Sequence, residues 1–495
     1  MPAPGIASPR TICPLAPPVR EPYYPCLMSH AAHRHTPRIP PVRRPLPFRR
    51  IGLCLTVAIA VGGGLGSGGS CAAQQEAQNP RQTPQSAYDG LVIERVVIEG
   101  LTRMDEDVVR RRLELDVGRE WQTETARRDE RAVTGLMIFW SVRISPRPLP
   151  SEHDPRSVEV VVRLEERFGW FVVPQVQYEE ETGWSYGGAL GHFNLLRRGH
   201  WLYASVLGGG SRYLSLSFRN AWNGPHHESF RVGGAAVSIG NHLYDFRETG
   251  ERFNLELGRW LGRTGRLAGG IDYRRVEGLM PAWVPVVAGT PFTTTRHRVW
   301  LRFGFDTTDP WTWLSPGVAS TLVLETSGGI LGGQVQGSMV TLSGRRRIAL
   351  SSRLLVASYA LLQTQAGDRP FWQLLPLGGM NSLRGYPLGA WLVEQRWEAG
   401  LQLEALLLPV RPIDLGPFGD QIVGVAATLF LDAGAGTGAR RGPGSHPWPR
   451  RTPTLYSRGG GLQFYNALLG TLRFEIGWPD DGGEPIVGFA VGTRF

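Results

Sequence analysis

Alternation between apolar and polar positions, with a period of two, dominates the chain from Phe168 to Phe495. Leu214, Leu216 and Phe218 alternate with Ser215, Ser217 and Arg219. Val299, Leu301, Phe303 and Phe305 alternate with Arg298, Trp300, Arg302 and Gly304, and Leu472, Phe474, Ile476 and Trp478 with Arg473, Glu475 and Gly477. Successive side chains of a strand point to opposite faces, so each run predicts a strand with one greasy face and one face that tolerates charge. Such runs recur between glycine- and proline-bearing turns, and from Trp170 to Phe495 they number about sixteen, an even count of the kind bacterial barrels use. No apolar run there is long enough for a membrane-spanning helix.

A different pattern precedes them. LVIERVVIEG (residues 91–100) alternates imperfectly, but its β-branched content and terminal Gly100 predict a strand. In DEDVVRRRLEL, Val108, Val109, Arg112 and Leu113 fall at helical spacing behind acidic residues, and a second helix is expected over Thr123 to Leu136. Two β-rich runs, Phe139 to Ile144 and Val158 to Leu164, close the unit. Strand, helix, helix, strand, strand describes a small α/β domain over residues 91–167 with two helices on one face of a sheet.

Residues 1–73 read as a leader: the pairs Arg43-Arg44 and Arg49-Arg50, an apolar core Ile51 to Val61, a Gly/Ser stretch and small residues up to a cleavage point after Ala73. Its apolar core is shorter than the roughly 20 residues of a spanning helix. Gly68 stands where a lipoprotein signal at Cys71 would have an aliphatic residue, and Met28 is an alternative start. A polar linker, 74–90, follows. The leader holds eight arginines against one acid, Glu21, and so carries +7 of the formal net charge of +10. The remainder, 422 residues at +3, gives little reason to expect nucleic-acid binding.

Composition narrows the chemistry. All 53 basic residues are arginine, which excludes a P-loop lysine, a Schiff base and a serine–lysine pair. The four cysteines (Cys13, Cys26, Cys54, Cys71) all lie in the leader, so thiol catalysis, cysteine-bound zinc and structural disulfides are not expected beyond it. His226-His227-Glu228 reads as a polar loop, and Asp105 with Asp107 as a helix start. Glu179 to Glu181 reads as a turn, the triple glycines at 208–210 and 459–461 as strand or turn, and Trp311 with Trp313 as part of an interfacial belt. No catalytic residue, metal site or cofactor is assigned.

The alternation fits either a soluble sandwich, with charged faces in water, or a membrane barrel, with apolar faces in lipid. The leader, the absence of later cysteines and the terminal aromatic favour the barrel, because spanning strands must close to pair every backbone group.

Six segments stand out in order: FNLLRRG (193–199), FDTTDPWTWLSPG (305–317), GGMNSLRGY (378–386), LQLEALLLP (401–409), LFLDAGAG (429–436) and the terminal FAVGTRF. By these segments the chain resembles, over residues 91–495, the BamA/TamA-type outer-membrane assembly and translocation proteins, the bacterial surface antigen family, whose loop motif is similar to Leu383-Arg384-Gly385-Tyr386 here. The resemblance implies a transmembrane β-barrel of about 16 antiparallel strands (168–495), preceded by one POTRA domain (91–167) in the periplasm. In that module Gly100, Gly118, Phe139 to Val142 and Glu165 match the pattern, and Met137-Ile138 replaces its Gly-Tyr. It further implies that Arg384 pairs with Glu404 and Asp432 on the inner wall, and that Gly488, Phe489, Val491, Gly492 and Phe495 form the insertion signal and one side of a lateral seam. The implied partners are the outer-membrane bilayer, client polypeptides and, through the POTRA domain, periplasmic chaperones or accessory proteins. A passive porin and a lipid or secreted-protein export barrel are the alternatives.

Overall fold

The computed structural model describes residues 57–58 and 85–491, apart from residues 137, 150–156, 180–182, 210, 224–227, 242–245, 263, 281–288, 309–315, 368–369, 415–419, 439–450 and 467–469. The leader's cysteines and its cleavage point, Met137, His226-His227, Trp311, Trp313, Gly492 and Phe495 lie outside the described residues.

A two-residue strand, β1 (Val57–Ala58), pairs with Val176 and Gln175 further along the chain. The amino-terminal module follows: β2 (Val92–Glu99), α1 (Glu106–Arg110), α2 (Thr123–Thr134), β3 (Phe139–Pro148) and β4 (Ser157–Glu166). Its sheet has the order β2-β4-β3, with β2 parallel and β3 antiparallel to β4. Its core is Ile93, Val109, Leu113, Trp121, Val133, Ile144, Val160 and Val162 with their neighbours, all but excluded from solvent.

The imperfect alternation of β2 has a structural cause. The register against β4 shifts between Ile93 and Arg95, so Ile93 and Val96, three residues apart, both face the core. Helix α1 is shorter than its spacing suggests, ending at Arg110, yet Leu113 still reaches the core. The module also begins earlier than expected. Tyr88 packs on the core, and the Trp121 indole donates to Gln85 O at 3.3 Å, so residues 85–90 belong to the fold rather than to a linker. Gly100 has φ +94°, and a Cβ there would lie 1.9 Å from Leu164 O. Beside it the working carboxylate is Glu166, not Glu165: it accepts from the backbone N–H groups of Thr102, Arg103 and Met104 at 3.1, 2.7 and 3.0 Å.

The second region is one antiparallel sheet of sixteen long strands joined in sequence order. They are β5 (Trp170–Glu179), β6 (Gly183–Leu195), β7 (His200–Gly209), β8 (Ser211–Asn223), β9 (Glu228–Asn241), β10 (Phe246–Leu261), β11 (Gly265–Leu279), β12 (Pro291–Asp306), β13 (Gly317–Ser327), β14 (Gly337–Ala349) and β15 (Leu354–Ala366). After a short hairpin, β16 (Leu375–Leu377) with β17 (Trp391–Val393), come β18 (Gln395–Asp414), β19 (Asp420–Thr437), β20 (Leu455–Asn466), β21 (Gly470–Pro479) and β22 (Ile486–Val491). Among the described residues each strand pairs with the next, but no register joins β22 to β5, so the sheet is not closed.

The two faces are inverted relative to a water-soluble protein. Leu214, Leu216, Leu257, Leu301, Leu401, Leu429 and Leu431 are exposed on the outer face, while Glu248, Glu256, Arg266, Arg274, Arg347, Glu404, Arg473 and Glu475 are buried inside. This distribution is expected when the outer face meets lipid. Inside, Glu248 bridges Arg252 and Arg274 at 2.5 and 2.6 Å, Glu256 holds Arg266 at 2.7 Å, and Arg298 joins Asp272 and Glu325. Strictly alternating strand direction puts the β6–β7 turn and the module at one end of the sheet and the β15–β18 connection at the other.

The module docks on the β6–β7 turn, the FNLLRRG segment. Leu196 and Arg197 there adopt φ of 59° and 65°, rare for residues with a side chain. That geometry presents Arg197 O to Asp105 N at 2.9 Å, and the Arg197 guanidinium to the Asp105 carboxylate at 3.1 Å. Asn194 donates to Arg103 O at 2.9 Å, and Phe193 completes the module's core.

Candidate functional site

The GGMNSLRGY segment lies in the long connection between β15 and β18, at the end of the sheet away from the module, and folds back against the inner wall. Gly378 and Gly379 turn the chain with φ of 107° and 100°. From there Leu383 and Tyr386 bury against Leu377 and Leu455, and the Tyr386 hydroxyl donates to Tyr456 O at 3.2 Å. Between these anchors Arg384 has no solvent exposure.

Its guanidinium makes a two-pronged bond to Asp432, Nε to Oδ2 at 2.8 Å and Nη2 to Oδ1 at 2.9 Å. The remaining nitrogen, Nη1, donates to Gln402 Oε1 at 2.6 Å and Glu475 Oε1 at 3.0 Å. The cation lies 3.5 Å over the centroid of the Phe430 ring. A planar, permanently charged fork suits this site, where two carboxylates, an amide oxygen and a ring face converge from three strands, β18, β19 and β21.

Glu404 takes a different place from the one expected. Its carboxylate accepts from Gln402 Nε2 at 3.0 Å and pairs with Arg347 at 3.3 Å, so Gln402 stands between it and Arg384. The reason is length along the strand. Asp432 is level with Gly400 across the β18–β19 ladder, whereas Glu404 is level with Thr428, two same-face positions further from the arginine. The second carboxylate comes instead from Glu475, whose other oxygen holds Arg473 at 3.2 Å. Period-two parity in LRFEIGW already put Arg473 and Glu475 on the polar face, and in LFLDAGAG it put Phe430 with Asp432. Only the strand register shows that they meet Arg384.

Glycines make the close approach possible. A Cβ on Gly385 would stand 2.6 Å from Ser457 Cβ and 2.7 Å from Trp478 C, and one on Gly477 would stand 2.4 Å from Arg384 O. Gly459 leaves room for the Phe430 ring, 2.4 Å from where its Cβ would lie. The rest of the motif ties down neighbouring strands. Ser382 donates to Glu398 on β18 at 2.7 Å, Asn381 accepts from Arg473 on β21, and Met380 lies over Gly488 on β22. Gly488, expected on one side of the lateral seam, is thus also the notch that receives Met380. Phe489 pairs with Phe474 of β21, their rings 4.8 Å apart, and Val491 pairs with Leu472.

A sixteen-stranded sheet with an apolar outer face and an arginine-bearing loop seated on its inner wall coincides with a family match. The Omp85 superfamily domain matches residues 194–495. The chain belongs to the Omp85 superfamily. It is an outer-membrane β-barrel protein of a superfamily that serves outer-membrane protein insertion or translocation. Its fold is similar to that of BamA from Haemophilus ducreyi lacking POTRA domains 1–3 (TM-score 0.56, 14% identity, covering 81% of this chain and 83% of that one). It is also similar to that of CdiB from Acinetobacter baumannii (TM-score 0.51, 13% identity, covering 81% of this chain and 73% of that one). No curated protein matches this Omp85 chain in sequence.

Proposed function

We propose that this Omp85 protein inserts or translocates polypeptides across the outer membrane through the seam between β5 and β22 and the adjoining lumen, with residues 91–167 acting as a periplasmic POTRA domain. The observation that carries this reading is the loop clamp beside β22, whose outer edge has no strand register among the described residues. Met380 to Tyr386 hold β18 to β22 as one block, through Glu398, Gln402, Asp432, Tyr456, Glu475, Arg473 and Gly488. A rigid block ending at an open edge leaves the strand edge free to template an incoming client strand, while the wall behind it keeps its shape. Leu383, Arg384, Gly385 and Tyr386, with Asp432, Glu475 and Gln402, are the residues on which this role rests. Phe489, Val491 and Gly488 line the seam side.

The POTRA domain would receive clients or periplasmic accessory proteins before they reach the seam. The test is a disulfide lock between cysteines introduced in β5 and β22, assayed in proteoliposomes with an unfolded outer-membrane protein as client. Client assembly is expected to stop under oxidation and to resume on reduction. Assembly unchanged by a quantitative lock would refute the seam, and large steady conductance independent of Arg384 would point to a passive channel.

A further inference from the structure

The apolar outer face of the sheet does not stop at its module end. Trp170 and Val172 are successive same-face positions of β5, Phe168 precedes them in the short connector after β4, and the three are 45%, 59% and 64% exposed. Trp140, on the module's edge strand β3, is 71% exposed. The Arg167 guanidinium lies 5.7 Å from the Trp140 ring and 4.9 Å from the ring of Phe193, the residue at the module end of β6, so a single guanidinium separates the exposed indole from the barrel. Arg103 lies 5.7 Å from the Phe168 ring, and Trp170 packs edge-on against His192 at 4.8 Å.

The module's core closes without any of the three aromatics, so packing does not account for them. Three large rings left in water would be costly, and a contiguous apolar patch of this kind marks an interaction surface. Two features choose the partner. The patch is continuous with the lipid-facing side of β5, and its ring-stacked cations are arginines, which suit phosphate. Tryptophan in particular favours the boundary between acyl chains and headgroups.

We propose that Trp140, Phe168 and Trp170 form one interfacial anchor that rests in the phospholipid headgroup layer at the module end of the barrel and holds the module against the bilayer beside β5. The anchor rests on the barrel's spanning a membrane and does not depend on the seam reading. It would fix the module's tilt at β5, the strand that follows it in the chain.

The test places a bimane fluorophore on introduced cysteines in the full chain, reconstituted in liposomes with lipids brominated near the headgroup. Ser141→Cys reports beside the intact Trp140, Val172→Cys on the lipid face, and Val117→Cys in the turn where Gly118 N bonds Ile93 O, at the far end of β2 from the barrel. Quenching at 141 is expected to approach that at 172 and to exceed that at 117 several-fold. Adding Trp140→Ser and Phe168→Ser is expected to drop quenching at 141 to the level of 117 while 172 is unchanged, which also shows that the barrel is still inserted. Equal quenching at 141 and 117 with Trp140 intact would overturn the proposal. So would a label at 141 that is shielded from an aqueous quencher but untouched by brominated lipid, since that would be a protein contact.

Discussion

The two regions of the molecule use the same period-two code to opposite ends. In the module, Ile93, Val160 and Val162 are buried, and Arg95, Glu99 and Arg163 face water. In the barrel the leucines of β8, β12, β18 and β19 face outward, and the buried layer is arginine, glutamate, aspartate and glutamine. The strand does not know which face is inside; the medium beyond its outer face decides. The stabilising interior therefore differs in kind: apolar packing in one region, paired charge in the other. A protein of this design should fail differently when each interior is cut.

The largest effect is expected at Arg384→Ala. It leaves Asp432 buried without its cation and Glu475 with Arg473 alone, and breaking a buried ion pair from one side typically costs about 3–5 kcal/mol. Loss of heat-modifiable migration and of complementation is the expected outcome, and full retention of both would show that the loop is not part of the barrel's core. Its counterpart in the module is Ile93→Ala. That change removes apolar packing and should cost roughly 2–5 kcal/mol, abolishing amide protection in α2 while the barrel stays heat-modifiable.

A matched pair of outward substitutions sharpens the same contrast. Leu401→Arg puts a charge on the lipid face and should cost about 2–4 kcal/mol if it lies near the bilayer midplane. Val117→Arg on the module surface should fall within about 0.5 kcal/mol of the parent. Equal costs, from unfolding in matched vesicles, would contradict the assignment of the two outer media.

Two carboxylates, Asp129 and Glu159, are buried in the module among the described residues, and Asp129 gives a pH handle. Asp129 accepts from Glu114 N and Leu115 N at 2.8 and 2.9 Å, yet burial pushes its pKa up from the usual carboxylate range to about 7. The folded state thus holds this proton more tightly than the unfolded one. Its contribution is fully present below the unfolded value of 3.8 and is lost as pH rises toward about 7. Hydrogen-exchange protection of α2 should fall across that window by the equivalent of a few kcal/mol at most. Asp129→Asn should flatten the profile, and protection that rises with pH would reverse the sign and refute the argument.

How much of this was legible beforehand follows the same division. Parity is a local property, so the sixteen strands and the faces of Arg298, Trp300 and Glu475 could be read from the sequence. Register is not local. The arginine's partners depend on which residue of β18 lies beside which residue of β19, and this is why Asp432 meets Arg384 while Glu404 is displaced onto Arg347. The bulge in β2 and the early start at Gln85 escaped for a related reason: each depends on what the neighbouring segment presents, not on the segment's own spacing.

Gly488 carries a small effect and the sharpest distinction. If its role is to weaken the closing strand, any side chain there should strengthen β22 regardless of the loop. If its role is to receive Met380, an added Cβ meets Met380 Sδ at 2.2 Å and Cγ at 2.5 Å. Those atoms belong to a flexible side chain that can swing aside, so Gly488→Ala should cost only about 1 kcal/mol. The decisive measurement is a double-mutant cycle with Met380→Ala. Under the notch reading the second change relieves the first, and the two effects are far from additive. Under the weak-strand reading they add, because the loop has no part in the cost. A coupling near zero would detach the loop clamp from β22 and leave the rigid block ending at β21, one strand short of the seam.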